Sequence, residues 1–584
     1  MKELQHLNRY FIKYRGRLIF GLMITIIARV FALLTPKFIG DSVNVVEKYM
    51  SGDITDLGQV ESVLLTNILL ILGTTLLAAF FTFLMRQSII VVSRYIEYDL
   101  KNEIFQQYEK LSLSFYKQNR TGDLMNRISE DVGKVRMYAG PAIMYSVTTV
   151  TLFIVVISYM FYKAPVLTLY AVAPLPVLSV AVYRLSVAIH KRSTIVQQYL
   201  SKLTSFTQES FSGIAVIKAY GIEPQTNVDF AALAKGSKDK NIDLAKVQAL
   251  FFPLMMLLIG ASNLLVIYIG GNQYLDGKID FGTIVEFLIY VNMLTWPVAV
   301  VGWVTSMVQQ AEASQKRINE FLKEKPNIEN LTHEVTPIQG KVEFKNLSFT
   351  YPDTQITALK NVSFTVNPGK TLAIVGNTGS GKSTILELIA RLYDVDDQQL
   401  CIDNTNAKDL NLTMLRGSIG YVPQDAFLFS DTIKNNIKFG KEEATHEEVV
   451  AAAKLASVYK NIKEFTKGYD TILGERGITL SGGQKQRVSI ARAVIKDPQI
   501  LLFDDCLSAV DTETEEEILQ NLHKISQKKT TIIVSHRVSS AKSADKIIVL
   551  EEGKIIQEGS HNELVNTDGY YKELYAKQLL EKEM

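Results

Sequence analysis

Eight residues, Gly376-Asn377-Thr378-Gly379-Ser380-Gly381-Lys382-Ser383, follow the pattern G-x-x-x-x-G-K-[ST]. The chemistry these types support is phosphate binding. Glycines at 376, 379 and 381 let backbone N–H groups turn inward around phosphate oxygens, where side chains would block the approach. Lys382 can reach the outer phosphates, and the Ser383 hydroxyl can ligate Mg²⁺. The pattern needs a strand ahead of it and a helix behind it. Residues 371–375 form a short apolar run typical of a buried parallel strand, and residues 383–392 read as an amphipathic helix of good formers. The helix start adds its partial positive charge to the loop. A chance loop would lack both neighbours, so the stretch implies binding of ATP or GTP.

Further residues with chemistry lie at the ends of two other strand-like runs. Residues 500–503 are apolar and end in Asp504-Asp505. Carboxylates at the C-terminal edge of a buried parallel strand sit where α/β sheets place their ligands, and Asp504 fits the role of holding Mg²⁺ directly or through water. Residues 530–534 deliver Ser535-His536 to the same edge, where His536 can hydrogen-bond a terminal phosphate. Alone it would more often be a structural histidine, but three strand ends converge there. Leu480-Ser481-Gly482-Gly483-Gln484 precedes a helix predicted over 484–495, with Ser481 as N-cap and glycines that admit a second phosphate. That gives the chain two phosphate-binding elements, more than one nucleotide needs. Tyr351 follows an alternating strand at 341–349 and can stack on an adenine ring, although a surface tyrosine at a strand end reads equally simply.

The elements that must carry this site are only half of the chain. Of 584 residues, 47% are hydrophobic and 21% charged, which points to a membrane portion. A net charge of +2 argues against a nucleic-acid partner held by bulk electrostatics. The two cysteines, Cys401 and Cys506, belong to no Cys/His cluster and read as reduced thiols. Six apolar stretches long enough to cross a bilayer lie at about 18–34, 63–84, 141–162, 166–183, 251–271 and 283–307. The segment between spans two and three carries Arg86, Arg94, Lys101, Lys110, Lys117, Arg120, Arg127, Lys134 and Arg136, whereas Lys48 is the lone base of the first loop. By the positive-inside rule both termini are cytoplasmic. Two long cytoplasmic connections, 86–138 and 184–249, read as helices continuing out of the bilayer, with residues 114–123 and 213–220 as candidate docking helices. Arg29 and Glu286 should face a cavity or a partner rather than lipid. Trp296 and Trp303 share one helix face and fit either an amphiphile pathway or packing.

The set as a whole resembles the ATP-binding cassette (ABC) exporter family, over essentially the entire chain. The fold class this implies is a membrane α-helical domain of six spans fused to a cytosolic α/β P-loop ABC ATPase domain. The boundaries expected are 1–320 for the transmembrane domain, 321–338 for a linker and 339–584 for the nucleotide-binding domain. The resemblance makes Gly376 to Ser383 the Walker A motif, with Thr384 beside it, and Tyr351 the adenine-stacking residue. Gln424, in Tyr421-Val-Pro-Gln-Asp425, resembles the loop glutamine that contacts Mg²⁺ and communicates with the membrane domain. Gly474-Glu-Arg-Gly477 resembles the segment that touches the coupling helices. Ser481, Gly482, Gly483 and Gln484 belong to the family signature, Ser508-Ala-Val-Asp511 to the dimer-crossing loop, and His536 is the switch histidine.

In that family two cassettes pack head-to-tail and each ATP lies between Walker A of one and the signature of the other. Asp504 would be the Walker-B carboxylate. The next residue is usually a glutamate that orients the attacking water, and here it is Asp505, which retracts the carboxylate by ~1 Å; a misplacement of that size can cost on the order of 100-fold in rate. Asp505 with an intact signature implies the degenerate-site half of a heterodimer in the cell membrane, paired with a second ABC half-transporter. A homodimeric lipid or peptide exporter with two slow sites, or a regulatory subunit that only clamps ATP with little hydrolysis of its own, stays open. The cargo implied is a lipophilic or amphipathic small molecule, and the cofactors are ATP and Mg²⁺. Six spans in the same chain argue against a soluble DNA-repair ATPase sharing some of these motifs.

Overall fold

The computed structural model describes residues 2–474, 477, 479–508 and 510–583. The chain divides into two compact units: Met1–Tyr108 with Gly122–Lys323, and Glu109–Thr121 with Glu324–Met584.

The first unit carries, among the described residues, six helices long and apolar enough to cross a membrane: Arg15–Met50, Leu57–Lys110, Thr121–Lys163, Pro165–Ser212, Glu223–Leu275 and Phe281–Leu322. Each outruns its apolar stretch, the second reaching 54 residues. The extra turns are polar and helix-forming, so the hydrogen-bond ladder continues where the hydropathy stops. Small residues let two helices approach closely: a Cβ at Gly282 would stand 2.0 Å from the Gly40 carbonyl oxygen. Glu286 is 2% exposed and accepts a hydrogen bond from the Tyr290 hydroxyl at 3.0 Å. The Arg29 Nε is buried without a hydrogen-bond partner. Trp296 and Trp303 are both exposed, and the Trp303 ring packs on Tyr145 at 5.2 Å between centroids. Of the two docking candidates, Ile214–Tyr220 buries none of its residues and ends on Gly221 in the left-handed region.

The other candidate belongs to the second unit. There the short helix Leu113–Gln118 sets Leu113 against the apolar core of the C-terminal sheets, and the Asn327 amide donates to the Ser114 hydroxyl at 3.1 Å.

The rest of the second unit is built on ten strands: β1 (Val342–Thr350), β2 (Thr357–Val366), β3 (Thr371–Gly376), β4 (Leu400–Ile402), β5 (Thr405–Asn406), β6 (Ile419–Val422), β7 (Ile500–Asp504), β8 (Thr530–Val534), β9 (Lys546–Glu551) and β10 (Lys554–Gly559). One sheet has the order β2-β1-β4-β5, antiparallel throughout. The other has the order β10-β9-β3-β8-β7-β6 and is parallel except for the β10–β9 edge. β3, β7 and β8 are buried at every residue, as strands covered on both faces must be. Their register aligns the C-terminal ends: Ile374 pairs with Val534, Val534 with Asp504, and Phe503 with Val422. Loops leaving those ends therefore meet at one edge.

Candidate functional site

The loop after β3 turns so tightly that it needs glycine. Gly376 has φ +155° and a Cβ there would meet the Leu550 carbonyl oxygen at 2.1 Å; at Gly381, φ +99°, it would meet that of Ala358 at 2.4 Å. The helix that follows, Lys382–Ile389, starts on Gly381 with no side-chain cap, so its first N–H groups stay available to an anion. The Ser380 hydroxyl is buried beside them with no hydrogen-bond partner. An unsatisfied donor next to open amides suits phosphate oxygens.

Lys382 is buried and its Nζ donates to the carbonyls of Gly376 at 2.9 Å and Asn377 at 2.8 Å. Burial lowers its pKa to about 8, against the pull of Asp505 and Asp504. Ser383 donates to Asp504 Oδ1 at 2.8 Å. Burial raises the Asp504 pKa, the Ser383 bond opposes this, and the neighbouring Asp505 adds to it. The residues present therefore fit a nucleotide with a divalent cation: a hydroxyl and a carboxylate already joined, which a cation can bridge, beside a buried ammonium and open amides.

Asp505 is buried and adopts φ +42°, in the left-handed region that aspartate enters more readily than most side chains. Its N–H donates to the Val534 carbonyl at 2.9 Å, and its own carbonyl accepts from the Ser508 hydroxyl at 2.9 Å. The loop is thereby pinned to β8, one residue before Ser535-His536. Burial and the charge of Lys382 lower the His536 pKa, with Asp505 opposing.

A cavity of about 620 Å³ joins these groups. It is lined by Tyr351, Thr378, Gly379, Gly381, Lys382, Ser383, Thr384, Gln424, Asp504, Asp505 and His536 among others. Tyr351 is turned into the wall: its hydroxyl donates to Glu387 Oε2 at 2.8 Å and shares a hydrogen bond with Thr384 at 2.9 Å. Lys117 lines the same cavity, its Nζ 5.1 Å from the Tyr351 and Tyr393 ring centroids and 3.7 Å from Glu387. Sequence reasoning marked the segment around Lys117 for docking but missed this side chain. No local pattern marks it, since its partners are brought in by the fold.

Ser481, Gly482, Gly483 and Gln484 do not line the cavity. They open the helix Gly482–Ile495, two residues earlier than the sequence suggests, because Ser481 and Gln484 close a capping box: the Gln484 N–H donates to the Ser481 hydroxyl at 3.3 Å, and the Ser481 N–H to the Gln484 side chain at 3.0 Å. Ser481 and Gly482 are exposed. Of the other segments the sequence singled out, Glu475, Arg476 and Ala509 lie outside the described residues. Cys401 and Cys506 are buried free thiols.

Residues 18–298 match the ABC transporter transmembrane region, and residues 359–508 match the ABC transporter domain. The chain is 36% identical over 583 residues, 100% of its length and 97% of the other's, to the multidrug resistance-like ATP-binding protein MdlA of Escherichia coli (strain K12). It is 34% identical over 485 residues, 83% of its length and 80% of the other's, to the ATP-dependent lipid A-core flippase of Syntrophus aciditrophicus (strain SB). The structure of a bacterial Atm1-family ABC exporter with ATP bound superimposes with a TM-score of 0.79 at 28% identity, covering 97% of this chain and 99% of that one. Two matched regions in series, one of membrane helices and one of P-loop sheet, leave a single conclusion: the chain belongs to the ABC exporter family, which couples ATP hydrolysis to transport across a membrane.

Proposed function

We propose that this chain is the degenerate-site half of a heterodimeric exporter that moves lipophilic or amphipathic small molecules out of the cytoplasm or inner leaflet by alternating access. ABC exporters work as dimers in the bilayer. The observation that carries the finer reading is Asp505, a short carboxylate at the position beside Asp504, combined with a capped Ser481–Gln484 segment whose Ser481 and Gly482 are exposed. The exposed segment is free to meet the nucleotide of a partner, while the chain's own site is left with the retracted carboxylate.

In this reading the loop from Gly376 to Ser383 holds the ATP phosphates through its amides, Lys382 and Ser380. Tyr351 and Thr384 border the base. Ser383, Asp504 and Gln424 hold Mg²⁺, which when bound neutralises charge on the outer phosphates. His536 donates to the terminal phosphate, and Asp505 orients water from too far back for fast chemistry. The nucleotide-binding unit and both termini are cytoplasmic in this reading, which the basic segment after the second span supports. The two relatives support the cargo class, one named for multidrug resistance and the other for a lipid A core.

The test is the intact mass of the complex purified from its native membrane through a tag on this chain. A second polypeptide of similar size, with glutamate after its Walker-B aspartate, is the expected result. A mass of twice this chain, with no foreign polypeptide, contradicts the heterodimer.

A further inference from the structure

The matched ABC transporter domain ends at residue 508, and the helix Tyr570–Glu583 lies beyond it. An apolar cluster fixes this helix in place. Tyr571 is fully buried in it, against Ala373 and Val375 of β3 and Val538 and Ala541 just after the His536 loop. From that footing two polar side chains reach the loops of the nucleotide cavity. The Tyr570 hydroxyl donates to Asn377 Oδ1 at 3.0 Å, in the phosphate loop itself. Gln578 makes two bonds: its Oε1 accepts from the Val538 N–H at 2.8 Å, and its Nε2 donates to the His536 carbonyl at 2.9 Å. Tyr570 and Gln578 are about two helical turns apart, which puts both on one face.

Gln578 therefore bridges the backbone on either side of Arg537. A primary amide suits this bridge, because it offers an acceptor and a donor on separate atoms of one rigid plane. A backbone N–H only donates and a carbonyl only accepts, so the amide orientation is fixed. The opposite side of the loop is held as well: Arg537 donates to the Ser508 carbonyl at 2.9 Å and to the buried Glu515 carboxylate at 2.5 Å. The loop that presents His536 is thus clamped between the segment after β7 and the C-terminal helix.

We propose that Gln578 is a positioning residue for His536, and that through it the C-terminal helix sets how well this chain's site distinguishes ATP from ADP. The proposal rests on the reading of His536 as a contact of the terminal phosphate. Without the clamp the imidazole swings free, and ATP loses a contact that ADP never had.

The experiment uses the intact complex and an azido-ATP photolabel, scoring label on this chain alone while unlabelled ATP or ADP competes under non-hydrolysing conditions. His536→Ala and Gln578→Ala should each weaken ATP competition on the order of 10-fold and leave ADP competition unchanged. The double variant should be no weaker than His536→Ala, and Gln578→Glu, which accepts but cannot donate, should weaken ATP selectively as well. Unchanged ADP competition shows that the site is still folded. An ATP-to-ADP ratio moved by His536→Ala but not by Gln578→Ala overturns the clamp, as does an equal loss of both nucleotides in Gln578→Ala. A ratio that His536→Ala fails to move overturns the phosphate reading of that histidine, and the clamp with it.

Discussion

The Ser383 hydroxyl donates to Asp504 Oδ1 across 2.8 Å, joining the first turn of one helix to the end of a strand that is distant in sequence. This pair closes the cation end of the cavity and holds a proton where Mg²⁺ would bind in the proposed reading. Replacing Ser383 by Ala removes one ligand and leaves Asp504 buried without its hydroxyl partner. ATP affinity of the complex in Mg²⁺ should fall on the order of 10-fold, with a smaller change in EDTA, in equilibrium nucleotide binding.

Lys382 predicts a proton count. Its pKa near 8 means that about half of the molecules carry the charge at pH 8, and the phosphates of ATP favour the charged form. Binding at pH 8 should therefore take up more protons than binding at pH 6.5. Titration calorimetry in buffers of different ionisation enthalpy reads this directly. Lys382→Ala should abolish the uptake, and an uptake that is the same at both pH values would refute the assignment.

His536 predicts a pH profile. Burial and the Lys382 charge hold its pKa below 6.5, so the imidazole stays neutral while an unfolded histidine gains a proton. Between 6.5 and the lowered value the folded chain binds fewer protons, and stability rises with pH across that window and is lost as pH falls through it. In the nucleotide-free protein the His536 imidazole, followed by NMR, should stay neutral from pH 8 to 6.5 and take up its proton only below. A transition centred at or above 6.5 in the wild type, absent from His536→Ala, would contradict this.

Gly376→Ala tests the phosphate loop as a built cradle. The added Cβ would stand 2.1 Å from the Leu550 carbonyl oxygen, so either β9 or the loop must move. Nucleotide binding should be lost, and the domain destabilised by roughly 1–3 kcal/mol, as backbone strain of this kind costs. Thermal unfolding with and without ATP separates the two effects.

The strands and loops of this site are legible in the sequence because their causes are local. β3, β7 and β8 are short, mostly apolar runs that lead into the glycine loop, Asp504-Asp505 and Ser535-His536, and the glycines of the loop are demanded by its own backbone. The six apolar stretches are equally visible, but the helices outrun them because hydropathy marks only the portion in lipid while helix propensity continues beyond it. Lys117 and Gln578 escape such reading. Each acts through partners far away in sequence, Tyr351 and Glu387 for one and His536 and Val538 for the other, and a lone lysine or glutamine on a polar helix carries no periodic signal. The cap at Ser481 falls between these cases: its residue type is legible, while the start of the helix at Gly482 depends on the reciprocal bond from Gln484.

In the proposed reading the Asp505 carboxylate limits chemistry at this site, and Asp505→Glu tests that limit most directly. Glutamate at φ +42° costs on the order of 1 kcal/mol of loop stability, which the bonds to Val534 and Ser508 can absorb. The longer side chain should bring the carboxylate forward. ATP turnover of the intact complex, together with vanadate-trapped nucleotide recovered on this chain, should rise at least on the order of 10-fold at this site. Turnover and trapping that stay at the wild-type level, in a variant that still binds ATP, would contradict the claim that this carboxylate limits chemistry here.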